Sequence, residues 1–324
     1  MAEARKLRSQ RWLANDDFRT FNHHSRFMQM GFERKDWEGK PIVAIINSWS
    51  EFNPCHMHFR QRVDDVKRGV LQAGGFPLEM PAMSLNDALV KPSALLYRNL
   101  MAMEIEEMIR CYPVDAVVLM GGCDKTTPAM LLGAISAGVP AVFLPARPML
   151  RGHSRGKTLG SGSDAFKFWD DRRAGLITPH VIVLRKAGPK GGPGMPEWGM
   201  IPVPLKLVRQ GVRDMLRISD ARMSGTSYGA CVLHVAPEAY VGGPLALVQA
   251  GDIIAIDVPG RQIRLEVSDD ELSRRRAQWH APPARFGRGY GKMFTDHILQ
   301  ADQGCDMDVL LTQAGECAGE PDIF

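Results

Sequence analysis

The first half of this 324-residue chain alternates short apolar, β-branched runs with longer stretches of helical periodicity. The apolar runs lie at 41–49, 115–120 and 140–145, and the helical patterns extend to residue 74, over 95–111 and over 127–137. Strands separated by helices indicate βαβ units, because a parallel strand returns to its sheet through a crossover. We therefore predict an α/β domain with a parallel sheet. Such sheets bind ligands beyond the carboxyl ends of their strands.

The second half of the chain has a different pattern. A strand is predicted at 180–186, and the Gly/Pro-rich segment after it is typical of a structured loop. Short apolar runs with turns at 250–251 and 259–260 follow, and they favour a β-rich barrel or sandwich. A helix is predicted over 269–279. The change of pattern near 177–179 divides the chain into a parallel-sheet α/β domain (1–178) and a β-rich, barrel-like domain (179–324).

Composition restricts the partners and the compartment. The formal net charge of +4 is small for this length and no Lys/Arg run stands out, so we expect no nucleic-acid partner. We expect no membrane partner either, because no apolar run is long enough to cross a bilayer. The N-terminal residues lack the apolar core of a secretion signal, which favours a cytoplasmic protein. The six cysteines form no CxxC pair and do not indicate a disulfide framework.

Two segments that follow predicted strands carry residues suited to metal chemistry. Cys123, Asp124 and Lys125 stand together after the strand 115–120. Thiolates suit iron–sulfur clusters and carboxylates suit magnesium. The alternative is a buried cysteine followed by a helix-capping aspartate. Cys55 and His56 follow the strand 41–49, and a Cys–His pair of this kind more often packs or caps than binds metal.

Three other positions are ambiguous when they are taken alone. Asp87 is most simply a residue at a helix N-terminus, and Glu197 lies in the Gly/Pro-rich loop. Ser224 is followed by glycine and Thr226, a pattern common in turns and caps. The functional alternative is a serine whose alkoxide acts as a base. No Ser/His/Asp arrangement can be argued from the order of the residues alone, so hydrolase chemistry is not expected.

Four segments together resemble a known enzyme family: NSWSEFNPCH, GGCDKTTPAMLLGA, GPKGGPGMPE and ISDARMSGTSYGACVLHVAPEA. They are similar to signatures of the dihydroxy-acid, 6-phosphogluconate and sugar-acid (aldonate) dehydratases. The resemblance extends from RSQRW near the start to GYGKMFTDHILQADQG near the end. The loop MLRGHSRGKTLGSGSDAFKFWDD and the phrase DARMSGTSYG resemble the sugar-acid branch, in particular its L-arabinonate-like members.

This resemblance implies roles for individual residues. Cys55 and Cys123 correspond to two of the three cysteines that hold the family's iron–sulfur cluster, for which the 2Fe–2S form is expected. The residues that correspond to magnesium ligands are Asp87, Asp124, Lys125 and Glu197. Lys125 matches a lysine that is carbamylated, and Asp87 stands where sugar-acid members usually have Glu. Ser224 corresponds to the catalytic base, with Thr226 beside it.

The implied function is that of a hydro-lyase that converts a 2,3-dihydroxy acid, here a sugar acid, into a 2-keto-3-deoxy acid. Magnesium would acidify the C2 proton, Ser224 would remove it, and the cluster would assist departure of the C3 hydroxyl. One alternative is the dihydroxy-acid dehydratase of branched-chain amino-acid synthesis. The resemblance also implies a homo-oligomer, either a dimer or a tetramer.

A second alternative follows from a gap in the resemblance. After about Gly175 the chain passes directly to PHVIVLRKAGPKG, without the middle section in which family members carry the third cluster cysteine. The chain could therefore be a non-catalytic remnant that keeps magnesium ligands without cluster chemistry. Loss of neighbouring strands also predicts unpaired edges, exposed apolar faces and a tendency to aggregate.

Overall fold

The computed structural model describes residues 7–146, 181–212, 214–225 and 229–311, and the backbone of 152–154 and 157–159. The described residues belong to two compact units, the first ending at Ala146 and the second beginning at Gly152. The domain boundary predicted at 177–179 lies outside the described residues and stays a prediction.

The first unit is built on a four-stranded parallel sheet in the order β2-β1-β3-β4. Its strands are β1 (Ile42–Asn47), β2 (Phe76–Pro81), β3 (Ala116–Gly121) and β4 (Ala141–Pro145). The predicted parallel α/β fold is confirmed in this part of the chain. The chain leaves β1 towards β2 on one side and continues with β3 on the other, so the strand order reverses between β1 and β3.

Helices connect these strands and cover the sheet. The crossover helices are α4 (Phe59–Gln72), α5 (Arg98–Cys111) and α6 (Thr126–Ala137), preceded in the chain by α1 (Gln10–Leu13), α2 (Phe18–Gln29) and α3 (Arg34–Trp37). A 3₁₀ turn at Ala94–Tyr97 leads into α5. Five of the six residues of β1 are buried, as expected for a strand covered on both faces. The core between sheet and helices includes Ile46, Ile105 and Met130.

Strand β4 is the last strand of the order, and its apolar side chains are largely exposed. Val142 is 64% exposed, and Ile135 on the preceding helix α6 is 74% exposed. A continuous apolar run is typical of a strand buried on both faces. Within the described residues, β4 therefore presents the kind of unpaired, apolar edge that the sequence predicts.

The second unit contains short strands and many loops. A parallel sheet in the order β7-β8-β9 joins Ile182–Leu184, Arg217–Ser219 and Cys231–Val232. Two antiparallel hairpins pair β5 (Gly152–Ser154) with β6 (Lys157–Leu159), and β10 (Ile254–Asp257) with β11 (Gln262–Leu265). The α-helices in the described part of this unit are α7 (Leu205–Arg209), α8 (Asp269–Gln278) and α9 (Gly289–His297). Further 3₁₀ turns lie at Ala239–Val241, Pro244–Leu247, Ala301–Gln303 and Asp308–Leu310.

A barrel in the second half is not confirmed. The apolar runs there do form strands, including the predicted hairpin around residues 259–260, but the described strands divide among separate small sheets. Strands of two to four residues are short for a closed barrel, in which each strand pairs on both edges. No helix in the described part of the chain combines the length and the apolar character needed to cross a bilayer.

Candidate metal centre and associated residues

The loops that follow β1 and β3 carry the two candidate cluster cysteines. These strands are neighbours, and their register pairs Asn47 with Met120. Strands β1 and β3 therefore end at the same level of the sheet, at the point where the strand order reverses. Cys55 lies in the first loop and Cys123 in the second. This position beyond the carboxyl ends of the strands is where open α/β sheets bind ligands.

The glycines before Cys123 allow a close approach of backbone segments. A Cβ atom on Gly122 would lie 2.4 Å from the Cβ atom of Ala146, which follows β4. Cys123 itself has a φ angle of 67°, in the left-handed region that non-glycine residues seldom adopt. Residues held in such conformations cluster at functional sites. Cys123 is an exposed residue whose thiol is partly desolvated by its neighbours, so the alternative of a buried core cysteine is wrong.

The thiols of Cys55 and Cys123 interact with one another. Both are free cysteines, and Cys55 is half-buried. The pKa of the Cys123 thiol is raised, first by its partial burial and then by the negative charge of an ionised Cys55 and a hydrogen bond with Cys55. The negative charges of Asp87 and Asp124 raise it further. A thiol in these surroundings ionises more readily once a cation is nearby, because the cation compensates the negative charge of its neighbours.

Lys125 lies between the two candidate carboxylate ligands of this unit. Its side chain is only 5% exposed, and its Nζ atom donates to Asp124 and lies 3.0 Å from Oδ2 of Asp87. Burial raises the pKa of Asp87 to about 6, and a hydrogen bond with Asp124 contributes in the same direction. Asp87 lies in a turn rather than at a helix N-terminus, and Asp124 contacts Lys125 at the start of α6.

The donor set of the first unit fits a cation. Two carboxylates contact one buried ammonium group, and the Cys123 thiol interacts with both carboxylates and with the Cys55 thiol, so full ionisation would leave an excess of negative charge. Oxygen ligands from Asp87 and Asp124 suit magnesium, whereas thiolates from Cys55 and Cys123 suit iron. Lys125 can act as a ligand only after its ammonium charge is removed, because an ammonium group has no lone pair to donate.

His56 is fully buried among polar groups from several loops. Its Nδ1 atom lies 2.9 Å from Nδ2 of Asn53 and 3.1 Å from Oγ of Ser48. Its Nε2 atom lies 3.3 Å from the carbonyl oxygen of Gly122. Burial lowers the pKa of His56, so the neutral ring is favoured. His56 is therefore a packed residue in this structure.

In the second unit, Arg222 connects the segment that carries Ser224 to the loop that carries Glu197. The guanidinium Nη1 of Arg222 lies 2.5 Å from Oε1 of Glu197, and its Nε donates to the carbonyl of Met195 at 2.6 Å. Ser224 is half-buried two residues further along the chain. Sequence reasoning missed Arg222, although a cation so close to two candidate residues was a usable signal. Thr226 lies outside the described residues.

Two buried carboxylates hold the Gly/Pro-rich loop that carries Glu197. Asp220 accepts hydrogen bonds from the backbone N–H groups of Lys186 (3.0 Å) and Ala187 (2.9 Å). Glu238 accepts hydrogen bonds from the N–H groups of Lys190 and Gly191, both at 2.8 Å. Backbone donors in a loop of this kind have no strand partner, so the carboxylates take that place. Neither Asp220 nor Glu238 was predicted from the sequence.

The remaining cysteines of the second unit contact methionine sulfur atoms. The Sγ atom of Cys231 lies 3.8 Å from Sδ of Met223, and that of Cys305 lies 3.3 Å from Sδ of Met195. Both side chains are half-buried. These sulfur contacts are typical of packed cysteines, which behave as small apolar residues.

Thiols, carboxylates and a buried lysine at the reversal point of a parallel sheet define a candidate metal-binding α/β protein. Two family profiles match this chain. The dihydroxy-acid/6-phosphogluconate dehydratase N-terminal profile matches residues 40–188, and the corresponding C-terminal profile matches residues 151–305. The chain belongs to the dihydroxy-acid/6-phosphogluconate dehydratase family.

Individual relatives include both sugar-acid and dihydroxy-acid dehydratases. The chain is 31% identical to the 6-deoxy-6-sulfo-D-gluconate dehydratase of Pseudomonas putida over 572 positions, covering 98% of each chain. It is 27% identical to the L-arabonate dehydratase of Azospirillum brasilense over 569 positions, covering 96% of this chain and 98% of the relative. Identity to the dihydroxy-acid dehydratase of Synechococcus sp. (strain JA-3-3Ab) is 49% over 134 residues, which are 40% of this chain and 23% of the relative.

These alignments contain a large gap. The alignment with the Pseudomonas putida relative spans 572 positions and the chain has 324 residues, so at least 248 positions have no counterpart here. The two profile matches overlap at residues 151–188, and the junction predicted after about Gly175 falls within that overlap. Gly175 itself lies outside the described residues.

Proposed function

We propose that this chain is a hydro-lyase that dehydrates a sugar acid to a 2-keto-3-deoxy acid with the help of an iron–sulfur cluster and Mg²⁺. The observation that carries the proposal is the pairing of the Asp87 and Asp124 carboxylates with the buried Lys125, together with the interaction of the Cys123 thiol with both carboxylates and with the Cys55 thiol. Soft and hard donors stand side by side there, which suits two different metal groups.

The proposal gives each candidate site residue a chemical role. Cys55 and Cys123 hold the cluster as thiolates, and the two aspartates hold Mg²⁺ together with Glu197. Bound to the chain, these groups supply Lewis acidity towards the substrate carboxylate and hydroxyl groups. Lys125 joins the ligands after carbamylation, which replaces its positive charge by a negative one. Ser224 removes the C2 proton of the substrate as an alkoxide, with Thr226 beside it.

The substrate class is a 2,3-dihydroxy acid of the sugar-acid type. Relatives named for 6-deoxy-6-sulfo-D-gluconate and L-arabonate align with nearly the whole chain, which favours a sugar acid. The shorter match to dihydroxy-acid dehydratases keeps a branched-chain precursor as the second choice of substrate. We propose a cytoplasmic homo-oligomer, a dimer or a tetramer, for the assembled protein.

The second candidate function is that of a non-catalytic remnant. The absence of at least 248 aligned positions favours it, because the resemblance places the third cluster cysteine in that section. A chain of this kind would bind Mg²⁺ through its carboxylates and would not turn over a sugar acid.

Turnover distinguishes the two candidates. The protein is purified and reconstituted anaerobically with iron, sulfide and Mg²⁺, and the 2-keto-3-deoxy product is measured on a panel that includes L-arabonate, 6-deoxy-6-sulfo-D-gluconate and a branched-chain dihydroxy acid. We expect product from a sugar acid, with a loss of about 10³-fold or more in Ser224→Ala, the size expected when a proton-removing group is lost. Ser50→Ala, in the loop after β1, is the matched control. Mg²⁺ binding without product from any substrate supports the remnant.

A further inference from the structure

Three buried polar side chains connect the loops of the first unit. Ser48, Asn53 and His56 are all fully or almost fully buried, and the described structure gives each of them hydrogen-bond partners. They lie directly after β1 and reach two other segments of chain, one following β2 and one following β3. A buried network whose polar groups are all satisfied is rigid and specifies one arrangement.

The orientation of the Asn53 amide favours the tautomer of His56 that carries its hydrogen on Nε2. Oδ1 of Asn53 accepts a hydrogen bond from the backbone N–H of Cys55 at 3.1 Å, so the amide nitrogen Nδ2 faces the imidazole. In that contact Nδ1 of His56 is the acceptor, although Nδ1 also lies 3.2 Å from the carbonyl oxygen of Ser48. Nε2 faces the carbonyl oxygen of Gly122, a group that can only accept, so a hydrogen on Nε2 satisfies both the Asn53 and the Gly122 contacts.

Each end of this network lies beside a candidate ligand. Asn53 binds the N–H group of Cys55 and donates to the carbonyl oxygen of Leu85 at 3.1 Å, two residues before Asp87. His56 binds the carbonyl of Gly122, the residue directly before Cys123. The network therefore contacts the backbone next to both thiols and close to one carboxylate, in three separate loops.

We propose that His56 is a positioning residue, and that its Nε2–H donor to Gly122 sets the distance between the Cys55 and Cys123 thiols before a metal group binds. This inference rests on the proposed function in taking the two cysteines as ligands. The left-handed backbone of Cys123 costs free energy and needs support from its surroundings. The hydrogen bond to the preceding peptide group supplies such support, as outer partners do for metal ligands.

Two conservative substitutions separate positioning from simple packing. In His56→Gln the terminal amide nitrogen replaces Nε2 and can still donate to Gly122. In His56→Asn the shorter amide reaches only the Asn53 side of the ring. Affinity is measured with Cd²⁺ alone, a thiophilic ion whose ultraviolet charge-transfer absorption counts bound thiolates. Cys123→Ser identifies the site, and circular dichroism reports folding.

We expect His56→Gln to bind Cd²⁺ within about threefold of the wild type and His56→Asn to bind it at least about tenfold more weakly, in the range found for outer-shell substitutions. If His56→Asn does not fold, Ser48→Ala takes its place, because it removes one contact of Nδ1. We then expect Ser48→Ala to bind Cd²⁺ more weakly than His56→Gln does, and an affinity equal to that of His56→Gln would overturn the proposal. Equal losses in both His56 variants, or no loss in either, would overturn the proposal, as would a wild type that does not bind Cd²⁺ through both thiols. A positive result together with no sugar-acid turnover would leave the positioning role standing and reject the proposed enzymatic function.

Discussion

The Nζ atom of Lys125 lies 3.0 Å from Oδ2 of Asp87, although the two residues belong to loops that follow different strands. The lysine is almost fully buried, and its second partner, Asp124, is 66% exposed. The ammonium group therefore neutralises a carboxylate from another part of the chain. This contact joins the segment after β2 to the segment after β3.

Removal of this ammonium group should destabilise the first unit. In the metal-free protein, in which Lys125 is unmodified, Lys125→Met leaves two carboxylates facing each other in a partly buried site, and we expect a loss of about 3 kcal/mol in the free energy of unfolding near pH 7. The matched control is Lys67→Met. Lys67 and Glu79 also lie 3.0 Å apart, but both side chains are 35% exposed, so we expect about 1 kcal/mol or less. Urea denaturation of both variants checks the prediction, and equal losses would contradict it.

Glu104 on α5 should make stability depend on pH. Burial raises the pKa of this carboxyl above its ordinary value of 4.5, and a hydrogen bond from the N–H of Met83 opposes part of the rise. The folded state therefore favours the protonated form. The contribution of the protonated Glu104 carboxyl to the free energy of unfolding is complete below pH 4.5 and is lost as the pH rises through the raised pKa.

Glu104→Gln removes this titration and keeps the acceptor for Met83. We expect the wild type to lose stability relative to Glu104→Gln as the pH increases from 4 to 8, measured by denaturation at each pH. A difference between the two proteins that stays constant with pH, or that changes in favour of the wild type, would contradict the prediction.

Gly133 should be required where α5 and α6 cross. A Cβ atom at this position would lie 2.6 Å from the carbonyl oxygen of Ala102 and 2.9 Å from Cβ of Ile105. We expect Gly133→Ala to destabilise the protein by about 1–3 kcal/mol, because overpacking outweighs the gain in helix propensity. Gly69 lies within α4 with open space around its Cβ position, so Gly69→Ala should stabilise by about 0.5–1 kcal/mol. Thermal unfolding of both variants provides the comparison.

The exposed strand β4 should promote self-association. Val142→Lys places a charge on this edge, a change that natural sheets use against pairing with other chains. We expect Val142→Lys to show less concentration-dependent association than the wild type, measured by light scattering. Val258→Lys is the control, since Val258 is 77% exposed in the turn between β10 and β11. Equal effects of the two substitutions would show that general charge, rather than the edge of β4, controls association.

Three of the four strands of the first unit were predictable within about one residue at most of their ends. Strands β1, β3 and β4 are continuous apolar runs, which is the pattern of strands in a parallel sheet. Strand β2 was missed, because Pro77 and Pro81 argue against a strand and Glu79 interrupts its apolar character. The register of β2 with β1 is a non-local property that its own residues do not reveal.

The candidate site was predicted in part. Residue types and strand ends indicated Cys55, Cys123 and Asp124, whereas Asp87 and Glu197 depended on the family resemblance. The left-handed backbone of Cys123 and the network around His56 were not predictable, because both depend on contacts between separate loops. The second half was predicted less well, since its strands are short and its loops are held by buried carboxylates such as Asp220 rather than by strand pairing.

Iron and sulfide content after anaerobic reconstitution tests the central claim most directly. We predict a visible-absorbing cluster at one per chain in the wild type, lost in Cys55→Ser and Cys123→Ser. It should be kept in Cys111→Ser, which alters an exposed cysteine at the end of α5. A colourless wild-type protein, or a cluster that survives both Cys55→Ser and Cys123→Ser, would contradict the account.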